Sequence, residues 1–198
     1  MDIISQLRLS LEPAPTKREL ILDAAVGVFG KFGFKKTSVD DLAAAAGISK
    51  QGLYLHFASK EAILQAGLQR YLDGCLSRVQ EELNRADASL LNRMAGAMDA
   101  WFGRHLATFT PESFDLIEAS KLLAGDRLKE YESALQAKLT KALAESADFK
   151  KAKNVCSPRE ITQVLLACGL TWKHGCQSRT EFMQQMKICI RACCQLEN

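Results

Sequence analysis

Helix breakers are scarce in this chain. Among 198 residues there are four prolines, Pro13, Pro15, Pro111 and Pro158, so long helices are permitted over most of its length. Long apolar runs are missing too: none approaches the ~20 residues a bilayer-spanning helix needs, and no membrane association is expected. The opening stretch, MDIISQLRLSLEPAPTK, lacks a basic segment followed by an apolar one and does not read as a secretory signal, so the chain is expected in the cytoplasm. A surplus of one charge is also lacking. The net charge is +3, and residues 1–66 carry eight Lys/Arg against seven Asp/Glu. Any nucleic-acid argument must therefore rest on where the charges sit, not on their sum.

The usual marks of an enzyme are absent as well. The three histidines, His56, His105 and His174, are scattered. No nucleophile–base constellation, phosphate-cradling loop or metal-ligand spacing occurs, so no catalytic residue, metal or cofactor is expected. Seven cysteines form an odd set without a Cys-x-x-Cys pair, which argues against a disulfide framework. Cys189 and Cys193 lie one helical turn apart and Cys193 adjoins Cys194, which raises a thiol or soft-metal sensor as a rival to plain packing. Buried cysteine behaves as a small hydrophobe, and the absence of nearby ligands favours packing.

What is present is helical periodicity. Residues 1–15 end in Pro-Ala-Pro and read as an arm. Thr16 and Glu19 have the spacing of a capping box, and Leu20, Ile21, Ala24, Ala25, Val28, Phe29 and Phe32 follow on one face until Gly33. A second helix is predicted from Ser38, lined by Val39, Leu42, Ala43 and Ala46 and stopped by Gly47. Ser49 caps a third, short helix reaching about Phe57. A longer helix is predicted over 59–85, then patterns at 88–109, 111–124 and 126–147, and a polar loop at 148–156. Ser157-Pro158-Arg159-Glu160 combines a capping box with proline at the first helical position and starts a helix to about Cys176. Ser178 and Glu181 start the last, to about Gln195. The expected fold is all-α with about nine helices. It divides into an arm (1–15), a helix-turn-helix unit (16–60) and a helical body (61–198).

Residues 38–57 thus read as helix, tight Gly turn and short capped helix, the arrangement of a DNA-binding helix-turn-helix. The run from Thr37 to Ala43, then Gly47-Ile48-Ser49-Lys50-Gln51-Gly52-Leu53-Tyr54-Leu55-His56-Phe57 and Ser59-Lys60-Glu61, resembles the DNA-binding domain of the TetR family. The resemblance covers roughly residues 16–65. It implies a transcription regulator that binds double-stranded DNA at a palindromic operator, most simply as a repressor released by a small-molecule effector. Tyr54 and His56 match the family's usual backbone contacts.

On a helical wheel Leu53 and Phe57 face the core while Gln51, Tyr54 and Leu55 lie on the opposite face. Gln51 can pair with adenine, Leu55 can touch a thymine methyl, and Lys50 can reach guanine or phosphate. Gly52 removes a side chain where the groove wall would approach. Thr37 and Ser38 at one helix start, with Lys60 at another, are expected to clamp phosphates.

Two recognition helices must engage successive major grooves, so a homodimer is expected. The last two helices carry more apolar positions than one intrachain face needs. Val164, Leu165, Cys168, Trp172, Met186 and Ile190 are the interface candidates. A ligand pocket is sought among the middle helices, around Tyr71, Cys75, Met98, Trp101, Phe102, His105, Phe109 and Trp172, for an apolar, drug- or metabolite-sized effector. The alternative keeps the fold but changes the job: a DNA-bound chromosome-organisation or division factor acting through a protein partner.

Overall fold

The computed structural model describes residues 14–105, 114–152 and 154–195. Among them it contains nine α-helices, one 3-10 turn and no strand. The order is α1 (Lys17–Phe32), α2 (Val39–Ala45), α3 (Lys50–Tyr54), α4 (Lys60–Leu83), α5 (Leu90–Trp101), the 3-10 turn Gly103–His105, α6 (Phe114–Glu145), α7 (Ala147–Lys151), α8 (Pro158–Gly175) and α9 (Arg179–Cys194).

Serine and threonine start these helices. Thr16, Ser38, Ser49, Ser59, Ser89, Ser146, Ser157 and Ser178 each accept a bond from an otherwise orphaned backbone N–H in the first turn. Thr16, Ser38 and Ser157 complete full capping boxes with Glu19, Asp41 and Glu160. Gly33 and Gly47 close α1 and the α2 turn at φ of 81° and 66°, where a side chain would be strained.

Two apolar cores result. The first holds Ile21, Ala25, Phe29, Leu42, Leu53 and Phe57, and it also draws Ile63 and Leu64 from α4 and Leu116 from α6. The helix-turn-helix unit is therefore cored by more than its own three helices. The second core fills the body with Met94, Met98, Leu139, Leu143, Leu165, Phe182, Met186 and Ile190. Within it the Asp99 carboxylate is buried and takes bonds from Arg179 Nε at 2.8 Å and Nη2 at 2.6 Å. A buried carboxylate without such a partner would be costly.

Four boundaries differ from the sequence reading. The predicted loop 148–156 begins as helix α7, capped by Ser146, because Phe149 has an apolar site to fill and is buried there. The helix expected over 88–109 ends at Trp101, and 106–113 lies outside the described residues. The two helices expected at 111–124 and 126–147 form one helix with a break at Ala124, whose φ of −141° and ψ of 22° are not helical. The third helix ends at Tyr54, not at Phe57, although the chain keeps turning through Leu55 to Phe57 with bonds back to Gln51 and Leu53.

Bonds from Ser157 hold the Glu160 carboxyl below its ordinary value of 4.5, bonds from Ser38 lower Asp41 and bonds from Thr16 lower Glu19. A depressed carboxyl contributes stability above its unfolded value and loses it as the pH falls through its folded one. Acid titration followed by circular dichroism should show stability dropping below about pH 4.5. Replacing all three by amides should lower stability at pH 7 and flatten that drop; an unchanged acid limb would mean the boxes contribute nothing.

Candidate nucleic-acid interface

The α3 edge is set by what lies behind it. Leu53 is fully buried and Phe57 nearly so, and together they anchor the helix to the first core. With that face fixed, Gln51, Tyr54, Leu55 and His56 must turn outward, and all four are exposed. Leu55 is 86% exposed, an apolar side chain held on rigid backbone with nothing covering it. Nearby, Lys50 Nζ meets Asp40 Oδ2 at 2.9 Å across the turn. That bond raises the Lys50 pKa, so the ammonium stays charged but is shared with a carboxylate. An approaching phosphate or guanine would have to compete with Asp40.

Two residues expected to clamp phosphate are turned inward. The Thr37 side chain is buried, and its hydroxyl donates to the Gly33 carbonyl at 2.6 Å. Lys60 Nζ donates to the carbonyls of Phe34 and Thr37, both at 2.9 Å, and sits 4.3 Å over the Phe34 ring. Both residues build the loop between α1 and α2. The carbonyls they satisfy are the orphans left where α1 ends and the chain turns, so the backbone takes the groups before any phosphate arrives. Ser38 remains exposed as the α2 cap, with its hydroxyl engaged by Asp41 at 2.6 Å.

Gly52 also has an inward role. A Cβ there would stand 3.3 Å from the Ser49 hydroxyl that caps α3, so part of its value lies in leaving the cap undisturbed. Lys36, which the sequence reading passed over, is exposed on the same loop. The only signal for it was its position, three residues after the Gly33 stop and two before the α2 cap.

The loop is held from the body as well. Asp115, at the start of α6, accepts the Phe34 N–H at 3.0 Å and the Lys35 N–H at 2.6 Å. Further along, Gln65 Nε2 donates to the Leu123 carbonyl at 2.7 Å. The first turns of α6 thus belong to the helix-turn-helix unit, and the rest of the helix, beyond Ala124, packs into the body.

Among the described residues, the expected effector residues are buried or half-buried. Met98 and Phe102 are buried core, closed against Gly169: a Cβ there would lie 2.7 Å from Met98 Cε and from the Phe102 ring. Cys75 is buried, while Tyr71, Trp101 and Trp172 are half-buried. The His105 side chain and Phe109 lie outside the described residues. Burial pushes the pKa of the Tyr71 phenol and the Cys75 thiol up and that of Lys173 down. An open cavity of about 900 Å³ lies elsewhere, between α1 and α4, and Tyr71 alone of the expected residues lines it.

The dimer candidates divide in the same way. Leu165, Met186 and Ile190 are fully buried inside the body core and are not available to a partner. Helical spacing could not tell which of two apolar faces turned inward. The outward faces of α8 and α9 carry Val164, Leu170 and Ile188, exposed by 48, 55 and 58%. Cys168 and Trp172 are half-buried. Cys189 Sγ stands 3.9 Å from Cys193 Sγ, and burial pushes the Cys189 pKa up. Among the described residues no three His, Cys, Asp or Glu side chains converge as a metal site, and no helix is long and apolar enough to cross a membrane.

Known proteins bear on this geometry. The sequence profile of the bacterial regulatory proteins, tetR family, matches residues 21–66. The HTH-type transcriptional repressor KstR2 of Mycolicibacterium smegmatis is 37% identical over 91 residues, which is 46% of this chain and 43% of that protein. The HTH-type transcriptional activator FasR of the same organism is 37% identical over 90 residues, 46% of this chain and 41% of that protein. The match therefore spans less than half the length of these relatives. Across the whole fold, the TetR-family regulator PfmR from Thermus thermophilus superposes with a TM-score of 0.66 at 23% identity, covering 86% of this chain and 97% of that one. The ketosteroid transcriptional regulator KstR2 of Mycobacterium tuberculosis superposes at 0.67 with 17% identity, covering 94% and 98%. Residues 21–66 thus resemble the tetR family in sequence, and the chain as a whole shares its fold with regulators of that family.

Proposed function

We propose that this chain is a sequence-specific DNA-binding transcription regulator, acting as a homodimer on a palindromic operator and released from it by a small molecule. The observation that carries the reading is the bare edge of α3. Gln51, Tyr54 and Leu55 stand exposed on a helix whose other face is locked into the core. A rigid edge offering an amide, a phenol and an apolar tip suits the major groove, where adenine presents paired hydrogen-bonding groups and thymine a methyl. His56, just past the helix end, and Tyr54 would meet the sugar-phosphate backbone. Lys36 and the Ser38 end of α2 would meet the flanking phosphates.

A single edge of this size binds weakly, and the second must come from another copy about 34 Å away. Val164, Leu170 and Ile188 supply an apolar surface on α8 and α9 suited to a symmetric contact with the same helices of a partner. Cys168 and Trp172 would lie beneath it. Repression is the simplest outcome, since a dimer seated on a promoter obstructs polymerase without further machinery; KstR2 is named a repressor and FasR an activator.

Release would run through α6. Asp115 grips the α1–α2 loop by two backbone bonds, and the helix is broken at Ala124. An effector that favours a different placement of the body's helices by a few kcal/mol would move that grip and the spacing of the two α3 edges.

Binding to randomised duplexes, followed by titration of the selected site, tests the contact assignments. Gln51→Ala should relax the preference at one base pair, at a cost of about 1–3 kcal/mol there. Lys36→Ala should weaken all duplexes alike and reduce the salt slope by about one unit. Lys60→Met should lower the thermal midpoint and the affinity while leaving the salt slope alone; a slope change like that of Lys36→Ala would return Lys60 to the phosphate contacts. In sedimentation, Leu170→Glu combined with Ile188→Glu should yield folded monomers that no longer hold the palindrome. A dimer that persists would place the interface elsewhere.

A further inference from the structure

Three cysteines meet where α8 packs on α9. Cys189 Sγ stands 3.9 Å from Cys193 Sγ, one turn further along α9, and the Cys168 thiol of α8 is also a hydrogen-bond partner of Cys189. All three are half-buried. Spacing along the chain shows the α9 pair alone; the packing of α8 on α9 adds Cys168. The pair keeps its spacing without help from any other element, because both residues lie on one continuous helix, Arg179–Cys194.

That spacing decides what can join the two sulfurs. Residues one turn apart have Cβ atoms about 5–6 Å apart, and a disulfide needs about 3.5–4.5 Å, so Cys189 and Cys193 cannot oxidise to one another while α9 stays intact. A bridging atom fits instead. Metal–thiolate bonds are about 2.3 Å long, and two of them in line span about 4.6 Å. The 3.9 Å gap opens to that span by a turn of either side chain, with no movement of the backbone. Zinc takes four ligands, and among the described residues no three His, Cys, Asp or Glu side chains converge as a metal site. A soft ion satisfied by two sulfurs is what the pair suits. Charge points the same way. Burial, with the neighbouring thiols, pushes the Cys189 pKa up, so a bare thiolate is disfavoured there. A divalent ion held by two thiolates is neutral overall and avoids that cost.

We propose that Cys189 and Cys193 form a two-sulfur site for a soft divalent cation of the mercury(II) class. On binding, each thiol releases its proton to solvent and forms one sulfur–mercury bond; nothing is oxidised or reduced. Cys168 remains the neighbour of Cys189 and is not a ligand. Cys189 adjoins the exposed Ile188, and Cys168 lies one turn from the exposed Val164, so the site borders the apolar face of α8 and α9. An ion held there would touch the surface through which two copies are proposed to meet. That consequence rests on the regulatory reading; the site itself does not.

Native mass spectrometry of the intact, reduced chain, with mercury(II) chloride added in excess glutathione, tests the site without reference to DNA or dimer. Glutathione strips the ion from single thiols, whereas a chelating pair keeps it through its high effective concentration. One ion should stay on each chain. Cys189→Ser and Cys193→Ser should each lower the glutathione concentration that removes it by about 100-fold, while Cys75→Ser, Cys156→Ser and Cys168→Ser should leave that concentration unchanged. As a second measurement, on the unaltered chain, one equivalent of mercury(II) should protect Cys189 and Cys193 from alkylation, read by peptide mass spectrometry, and zinc(II) in excess should not displace it. No retained ion, protection of a different pair, or displacement by zinc(II) would each overturn the proposal. A loss with Cys168→Ser equal to that with Cys193→Ser would overturn it too, by moving the site to the seam between α8 and α9.

Discussion

The placement of the recognition edge depends on one loop, residues 33–38, and that loop is held by charge. Its carbonyls at Phe34 and Thr37 are satisfied by the Lys60 ammonium, and its N–H groups at Phe34 and Lys35 by the Asp115 carboxylate. Backbone groups at a helix end that find no partner cost free energy, and here none of the four comes from a regular element. An ammonium and a carboxylate from two different helices of the body serve them instead. Charge-assisted bonds of this kind are the stronger class. The loop therefore cannot shift without either α4 or α6 shifting with it.

That arrangement also explains why the first core crosses the expected domain boundary. Ile63 and Leu64 follow Lys60 on α4, and Leu116 follows Asp115 on α6. Each polar clamp is backed by an apolar side chain from the same helix turn, pressed into the same core as Leu42 and Leu53. The helix-turn-helix unit has only a few small helices of its own, and small units bury too little surface to be stable alone. Borrowed leucines and an isoleucine make up the difference, and the borrowing is what joins the unit mechanically to the body.

Much of this was legible in the sequence, and the failures have a common cause. Caps were readable because they are local: Thr16 with Glu19 and Ser157 with Glu160 need only their own spacing. The outward set Gln51, Tyr54 and Leu55 was readable because Leu53 and Phe57 fix the opposite side. The intrachain bonds of Lys60 and Thr37 were not legible, because a cation and a hydroxyl near helix starts look the same whether they serve a phosphate or a backbone carbonyl elsewhere in the chain. Leu165, Met186 and Ile190 were misassigned as interface for a related reason. A helix that is apolar on two faces declares that both are covered, not which neighbour covers each. The short helix α7 was missed because five residues carry too little periodicity; only the burial of Phe149 distinguishes them from a loop.

The break at Ala124 gives the clamps their functional meaning. A straight helix from Phe114 to Glu145 would transmit any displacement of the body rigidly to Asp115. With non-helical backbone at Ala124 and Gly125 beside it, the first turns can follow the helix-turn-helix unit while the later turns follow α4, to which Tyr131 is bonded through Asp73 at 2.5 Å and Lys138 through Gln80 at 2.6 Å. Both α4 and the far part of α6 then act as one block, and the loop clamped by Lys60 and Asp115 registers any rotation between that block and the first turns of α6. Because packed interfaces prefer discrete arrangements over continuous bending, such a rotation would switch between two settings of the α3 edge. The regulator proposed above needs no more than this: two settings, only one of which matches the spacing of successive grooves.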